Sequence, residues 1–393
     1  MSGLRRAAIS VVSSHTAGAG RPAGIRLGLA AAMLAALVPS ARAQRPAAEA
    51  ASARAPGART AATTLRAVDS LFADYSAPGA PGASVVVIRH GRVVFTGAYG
   101  LADLEARTRA APRTDYRLAS LTKQFTAMAV MILAEQGRLS YDDPVSRYLP
   151  SLPAHARDVT IRNLLNHTGG LWDYEDFVPD SQTYQVKDRD VLALIQRADS
   201  LYFRPGSAYR YSNTGYALLA LVVERVSGRP FARFLETRIF RPLGMRGSVA
   251  FEEGVSTVPN RAYGHSRDST GWRRTDQSNT SAVLGDGGVY TSVDDMVRWS
   301  RALDRRRLVS AATQQLAWTD VTLADGRRSG YGFGWFVSRA EGHLTVWHTG
   351  ETRGFRNAIF KLPDAGLTVV VLTNRNESPP IAIARRIAEL FRD

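Results

Sequence analysis

The chain has 393 residues, enough for one large core or two smaller ones, and its 45% hydrophobic and 22% charged content is that of an ordinary globular protein. It has no cysteine, which excludes disulfides and thiol catalysis, and no His-Glu-x-x-His or similar spacing, so neither a metal nor a cofactor is expected. Its net charge of +15 comes from dispersed arginines rather than a basic block, which suits anionic envelope polymers and, without a nucleic-acid motif, excludes a nucleic-acid partner.

The first 43 residues hold Arg5, Arg6, Arg21 and Arg26 and no acid, then an apolar run Leu27–Val38, then Ala41-Arg42-Ala43. A basic segment, an apolar segment and a small-x-small site follow the order of a secretory signal peptide, so 1–43 predicts export to the periplasm or beyond. The alternative is an uncleaved anchor helix, but the apolar run falls short of the roughly 20 residues that a membrane span needs. Cleavage would leave a net charge of +10 and no stable membrane span. Residues 44–61, rich in Ala, Pro, Gly and Arg without periodicity, read as a flexible leader.

One large domain is expected over 62–393. Leu65, Val68, Leu71 and Phe72 recur at helical spacing and predict a helix from Thr63 to Tyr75. The β-rich runs Ala83–Ile88 and Val93–Phe95, around His90-Gly91, predict a hairpin with His90 in the turn. A helix is expected from Ser120 to a stop at Gly137, apolar nearly all round and therefore buried. Further helices are expected from Asp158 to Leu165, Asp188 to Ser200, Gly215 to Val226 and from Pro230. A glycine-rich loop follows at Gly285–Gly288, then a helix from Ser292 to Leu303. Strands are expected over Gly332–Ser338, His343–His348, Phe355–Leu362 and Leu367–Asn374, and a closing helix over Pro380–Phe391. Strands early and late with helices between predict an α/β fold of the α+β type. One antiparallel sheet is built from both chain ends and flanked by helices (sheet lobe about 62–119 and 286–393), with an inserted all-helical lobe (about 120–285).

The chemistry gathers in three places. Ser120 and Lys123 stand three residues apart at a helix start, so they share a face, and the helix mouth offers unpaired N–H groups to an oxyanion. Lys123, Lys187 and Lys361 are the only lysines, so 47 of the 50 basic residues are arginine. Arginine keeps its proton in a protein, whereas a buried lysine can release one, so a rare lysine in an apolar helix is where a base is expected. The second place is Tyr211-Ser212-Asn213, read either as a phenol and an amide for chemistry or as packing and a helix N-cap. The third is His348-Thr349-Gly350, where a strand ends on a residue that allows close backbone approach. Another His-Thr-Gly at His167 follows a short helix and reads as a helix stop.

Ser-x-x-Lys, Tyr-x-Asn and His-Thr-Gly in this order resemble the penicillin-recognising serine hydrolases: class C β-lactamases, D-alanyl-D-alanine carboxypeptidases and related esterases. The flanks Leu164–Leu171, Tyr211–Tyr216 and Gly285–Ser292 share the resemblance, which covers the chain from about Thr63 onward. It implies a β-lactamase/transpeptidase-like fold and an acyl-enzyme formed on Ser120, with Lys123 helping to deprotonate it. Tyr211 would be base and proton donor, and its pKa, ordinarily ~10, would be lowered by a nearby cationic Lys123. Asn213 would bind the substrate amide, while His348, Thr349 and Gly350 would face its carboxylate side, and Glu351 would add an oxyanion N–H to that of Ser120. His348 stands where many relatives have lysine, which weakens carboxylate anchoring; Arg353 is the candidate to replace that charge. The implied substrates are D-alanyl peptides, peptidoglycan-derived ones among them, or β-lactams. An esterase acting on small acyl esters and a penicillin-binding sensor without turnover are the alternatives.

Overall fold

The computed structural model describes residues 61–179, 181–340, 342–377 and 379–392; the expected signal segment and leader lie outside the described residues, save Ala61. Six strands form the main sheet: β1 (Ala83–Arg89), β2 (Arg92–Tyr99), β3 (Phe336–Ala340), β4 (His343–Thr352), β5 (Phe355–Leu362) and β6 (Leu367–Thr373). Their order is β3-β4-β5-β6-β1-β2, with every neighbouring pair antiparallel, so the two chain ends meet where β6 pairs β1. The β-branched runs of β1 and β6 lie in register, Val86 opposite Val370, and are buried on both faces. Alternation then serves two cores. Val86, Ile88, Val370 and Leu372 join the large core on the helical-lobe side, while Val85, Val87, Val369 and Val371 pack under α1 (Ala61–Leu71) and the closing helix Pro380–Leu390. His90 and Gly91 both have positive φ (48° and 72°), the two-residue turn that matches strand twist, as the hairpin reading required.

The inserted lobe is built around α2 (Lys123–Glu135), all of whose residues from Lys123 to Leu133 are buried. Around it stand α3 (Ile161–Leu165), α4 (Asp188–Ile195), α5 (Asn213–Ser227, ended by Gly228 at φ 71°) and α6 (Val293–Asp304). No helix among the described residues is long and apolar enough to cross a membrane.

Several boundaries differ from the expected ones, each for a local reason. The helix expected from Ser120 opens with a tight 3₁₀ turn, Ala119–Thr122, before α2 begins. Ala119 is held at φ 50° while the Asn357 amide clamps the carbonyls of Arg117 and Leu118 (2.8 and 3.3 Å). The glycine-rich stretch expected to be a loop is a helical turn, Leu284–Gly287, because the Asp188 carboxylate accepts the N–H groups of Leu284 and Gly285 at 2.8 and 2.9 Å. A side chain at Gly285 would bring its Cβ within 2.3 Å of the Tyr216 carbonyl. Helix α4 stops at Ile195 rather than Ser200, and β3 begins at Phe336 rather than Gly332. The lobe expected to be all-helical over about 120–285 is not: it carries a short strand, Val249–Ala250, and a hairpin over His265–Asp268 and Gly271–Arg274, strands too short and polar to show alternation.

Candidate active site

Sheet and lobe meet at the Ser120 turn. The β3 pairing reaches only Trp347, so β4 from His348 to Thr352 is bound to β5 on one side and has no partner strand on the other among the described residues. An open strand edge presents alternate N–H and C=O groups without a partner strand. Gly350 is seated against the turn: a Cβ there would lie 1.9 Å from the Leu118 carbonyl oxygen, so only glycine lets the strand approach this closely.

Lys123 is fully buried and spends its three N–H donors on neutral acceptors: Ser120 Oγ at 3.0 Å, Asn213 Oδ1 at 2.8 Å and the Asp286 carbonyl at 3.0 Å. No carboxylate forms an ion pair with it among the described residues. Burial pulls its pKa below the ordinary lysine value, against the opposing fields of Asp286, Asp173 and Glu175. Of the three partners only the Ser120 hydroxyl can also donate. When the amine loses a proton, its lone pair must therefore turn to Ser120 while the other two bonds stay made. The first turn of α5 holds Asn213, whose N–H donates to Asp173 Oδ2 at 2.7 Å. With Asn213 Oδ1 taken by Lys123, its amide NH₂ remains to donate. Ser212, not Asn213, occupies the N-cap position, so the capping reading of Asn213 is set aside.

Tyr211 lies with its ring centroid 4.9 Å from Lys123 Nζ. Its hydroxyl is buried without a well-formed hydrogen bond, although Ser120 is near enough to favour its ionised form slightly. Burial dominates and raises the Tyr211 pKa well above the ordinary phenol value, with Asp286 and Asp173 adding to the rise. The expected lowering by Lys123 is therefore corrected: burial of the phenol dominates, and the Ser120 hydroxyl, which opposes it, does not offset it. Tyr211 is a phenol that keeps its proton.

His348 is 1% exposed and both ring nitrogens are engaged. The buried Tyr331 hydroxyl, at 2.8 Å, donates to Nε2, and Nδ1–H donates to the Thr349 carbonyl at 2.6 Å. Burial and the Lys123 charge push its pKa down to about 3, so it brings no positive charge to the site at neutral pH. Thr349 is half-buried on the open edge, and Glu351 is exposed with its carboxylate 3.4 Å from Arg356 Nε. Arg353 is exposed in the two-residue loop between β4 and β5.

Ser120, Lys123, Tyr211, Asn213 and His348 thus converge on one place, with Gly350 against the serine turn. Sequence reasoning missed Asp286, which supplies a backbone oxygen to Lys123 and whose side chain accepts from Tyr174 at 2.9 Å. Asp173 and Tyr331 were missed as well. Asp286 sat within the quoted Gly285–Ser292 flank, and a buried acid between glycines was the available signal.

A two-lobed α+β fold with a serine, an unpaired buried lysine and a tyrosine at the junction defines a penicillin-recognising serine hydrolase. The chain belongs to the β-lactamase family, whose model matches residues 68–392. It is 33% identical over 309 residues to penicillin-binding protein 4* of Bacillus subtilis (75% of this chain, 68% of that protein). It is 30% identical over 322 residues to a D-aminopeptidase of Gluconobacter oxydans (79% of this chain, 59% of that protein). Among solved structures it resembles the octameric penicillin-binding protein homologue from Pyrococcus abyssi at a TM-score of 0.73 and 29% identity, covering 83% of this chain and 77% of that one. The chain spans between 59% and 68% of the length of these two sequence relatives.

Proposed function

We propose that the chain is an exported hydrolase that moves an acyl group from a D-amino-acid peptide, peptidoglycan-derived ones included, or a β-lactam to Ser120 and then to water. The observation that carries this reading is the three-acceptor setting of Lys123, which leaves its amine one place to take a proton from: Ser120 Oγ, at 3.0 Å. In the proposed sequence Lys123 removes that proton and Oγ attacks the substrate carbonyl. The N–H groups of Ser120 and Glu351 receive the oxyanion, each such donor contributing about 2.7–4 kcal/mol of barrier reduction. Asn213 donates to the substrate amide, and Tyr211, with Thr349 and Gly350 alongside the substrate, passes its proton to the leaving nitrogen and recovers one from the Lys123 ammonium, so that the proton taken from Ser120 leaves with the amine. Similarity to a penicillin-binding protein and a D-aminopeptidase supports the substrate class, and the order basic, apolar, small-x-small at the N-terminus supports export.

An uncharged His348 holds a substrate carboxylate weakly, so slow turnover of β-lactams and faster turnover of substrates without that carboxylate are expected. The same observation favours a second reading, an esterase on small acyl esters. A D-alanyl-D-alanine peptide, a p-nitrophenyl ester and a chromogenic cephalosporin, each given to the wild type and to Ser120→Ala, separate the readings. Mass spectrometry after exposure to each should find an adduct on Ser120. An adduct elsewhere, or turnover that survives Ser120→Ala, would sink the proposal.

A further inference from the structure

The second His-Thr-Gly does end a helix, with His167 in the left-handed conformation (φ 60°) just past α3, but a stop needs only the backbone. Its side chain is 2% exposed and packs with its ring centroid 4.3 Å from that of Tyr211. Nδ1 accepts the N–H of Ser212, the residue between Tyr211 and Asn213, at 3.2 Å. The backbone beside it acts as a template for the whole incoming loop. The carbonyls of Gly170, Thr168 and His167 accept the N–H groups of Tyr202, Gly206 and Arg210 at 2.8, 2.9 and 3.1 Å. On its other side the His167 ring lies 4.5 Å from Tyr331, whose hydroxyl binds His348. Both copies of the motif therefore converge on one tyrosine. Because Nδ1 accepts, the ring proton sits on Nε2, buried and without a partner among the described residues. Burial keeps the ring uncharged, which preserves the acceptor.

We propose that His167 is a positioning residue for the reaction: it fixes the Tyr211 ring and the Ser212 backbone so that the phenol meets the leaving group of the substrate. This rests on the acyl-enzyme reading above. A loosened Tyr211 should matter most where the leaving group needs a proton. His167→Ala is therefore expected to slow hydrolysis of a D-alanine p-nitroanilide about 100-fold and that of the matching p-nitrophenyl ester less than about tenfold, with KM little changed. Tyr211→Phe should show the same split, and the double variant should lose no more than Tyr211→Phe alone. His167→Asn, which tolerates positive φ and can accept from Ser212, should recover most of the loss and serves if the alanine variant does not fold. Equal losses on both substrates, losses that multiply in the double variant, or a folded asparagine variant as slow as alanine would overturn the proposal. Should the wild type turn over neither substrate, the functional reading fails. The rate at which a phosphonate phenyl ester, whose phenoxide leaving group takes up a proton, labels Ser120 then decides the positioning role: it should fall together in His167→Ala and Tyr211→Phe, and an unchanged rate in His167→Ala overturns it.

Discussion

Two of the three lysines are buried completely, and their surroundings differ in one respect. Lys361, on β5, pairs with Asp304 Oδ1 at 2.5 Å and donates to Thr368 Oγ1 at 3.0 Å beneath α6. Lys123 has carbonyl, amide and hydroxyl oxygens only. Burial lowers the pKa of both, but Asp304 holds the Lys361 ammonium in place as a charge, whereas Lys123 is surrounded by groups that accept its hydrogen bonds without neutralising it. The partner, more than the depth of burial, separates a structural cation from a latent base.

The comparison breaks most sharply by deleting each amine. Lys123→Met should lower ester hydrolysis and Ser120 labelling roughly a thousandfold, with a melting temperature equal to or above that of the wild type. Lys361→Met should leave turnover within about twofold. Asp304→Ala makes the opposite case: with Asp304 gone, Lys361 is a buried charge without its counter-ion. Urea unfolding should show a loss of about 2–3 kcal/mol, with unchanged activity per folded molecule, the half-solvated position of Asp304 holding the figure at the low end.

Titration sharpens the same contrast. Between the lowered folded pKa of Lys123 and the ordinary value near ~10.4, the unfolded chain binds more protons than the folded one, so stability should rise with pH across that window. Turnover should rise there too, as the amine becomes neutral. In Lys123→Met that stability increment should vanish, while in Lys361→Met the acid limb of the activity profile should stay where it was; a moved limb would reverse the assignment. His348→Lys places an amine beside Tyr331. It should raise preference for a peptide with a free C-terminal carboxylate over its amide by about tenfold, a change of about 1.4 kcal/mol. Arg353→Ala removes an exposed cation and should change that preference by no more than about twofold, as solvent screening implies; a larger loss would make Arg353 the anchor.

Much of this was legible in residues and some was not. The Ser120–Lys123 pair followed from i,i+3 spacing, and the sheet from β-branched runs at both ends, because both signals are local. The rarity of lysine pointed to Lys123 but applies equally to Lys361; only Asp304, 57 positions away, tells them apart. The direction of the Tyr211 shift was misread because the resemblance placed a cation beside the phenol, while burial by distant aromatic rings leaves no mark in the sequence. The Gly285–Gly288 turn depended on a carboxylate from α4, and Asp188 carries no mark of that in its own stretch.

The unpaired end of β4 carries a hazard of its own. Thr349, Glu351 and Thr352, the residues of this stretch that are not buried, offer a second molecule a short template for edge-to-edge growth, the usual beginning of self-association in sheet proteins. Glu351, Arg353 and Arg356, crowded at the hairpin tip, confront such a newcomer with mixed charge that its own copy would have to bury. In concentrated solution that mixed charge keeps the strand edge from pairing with a twin.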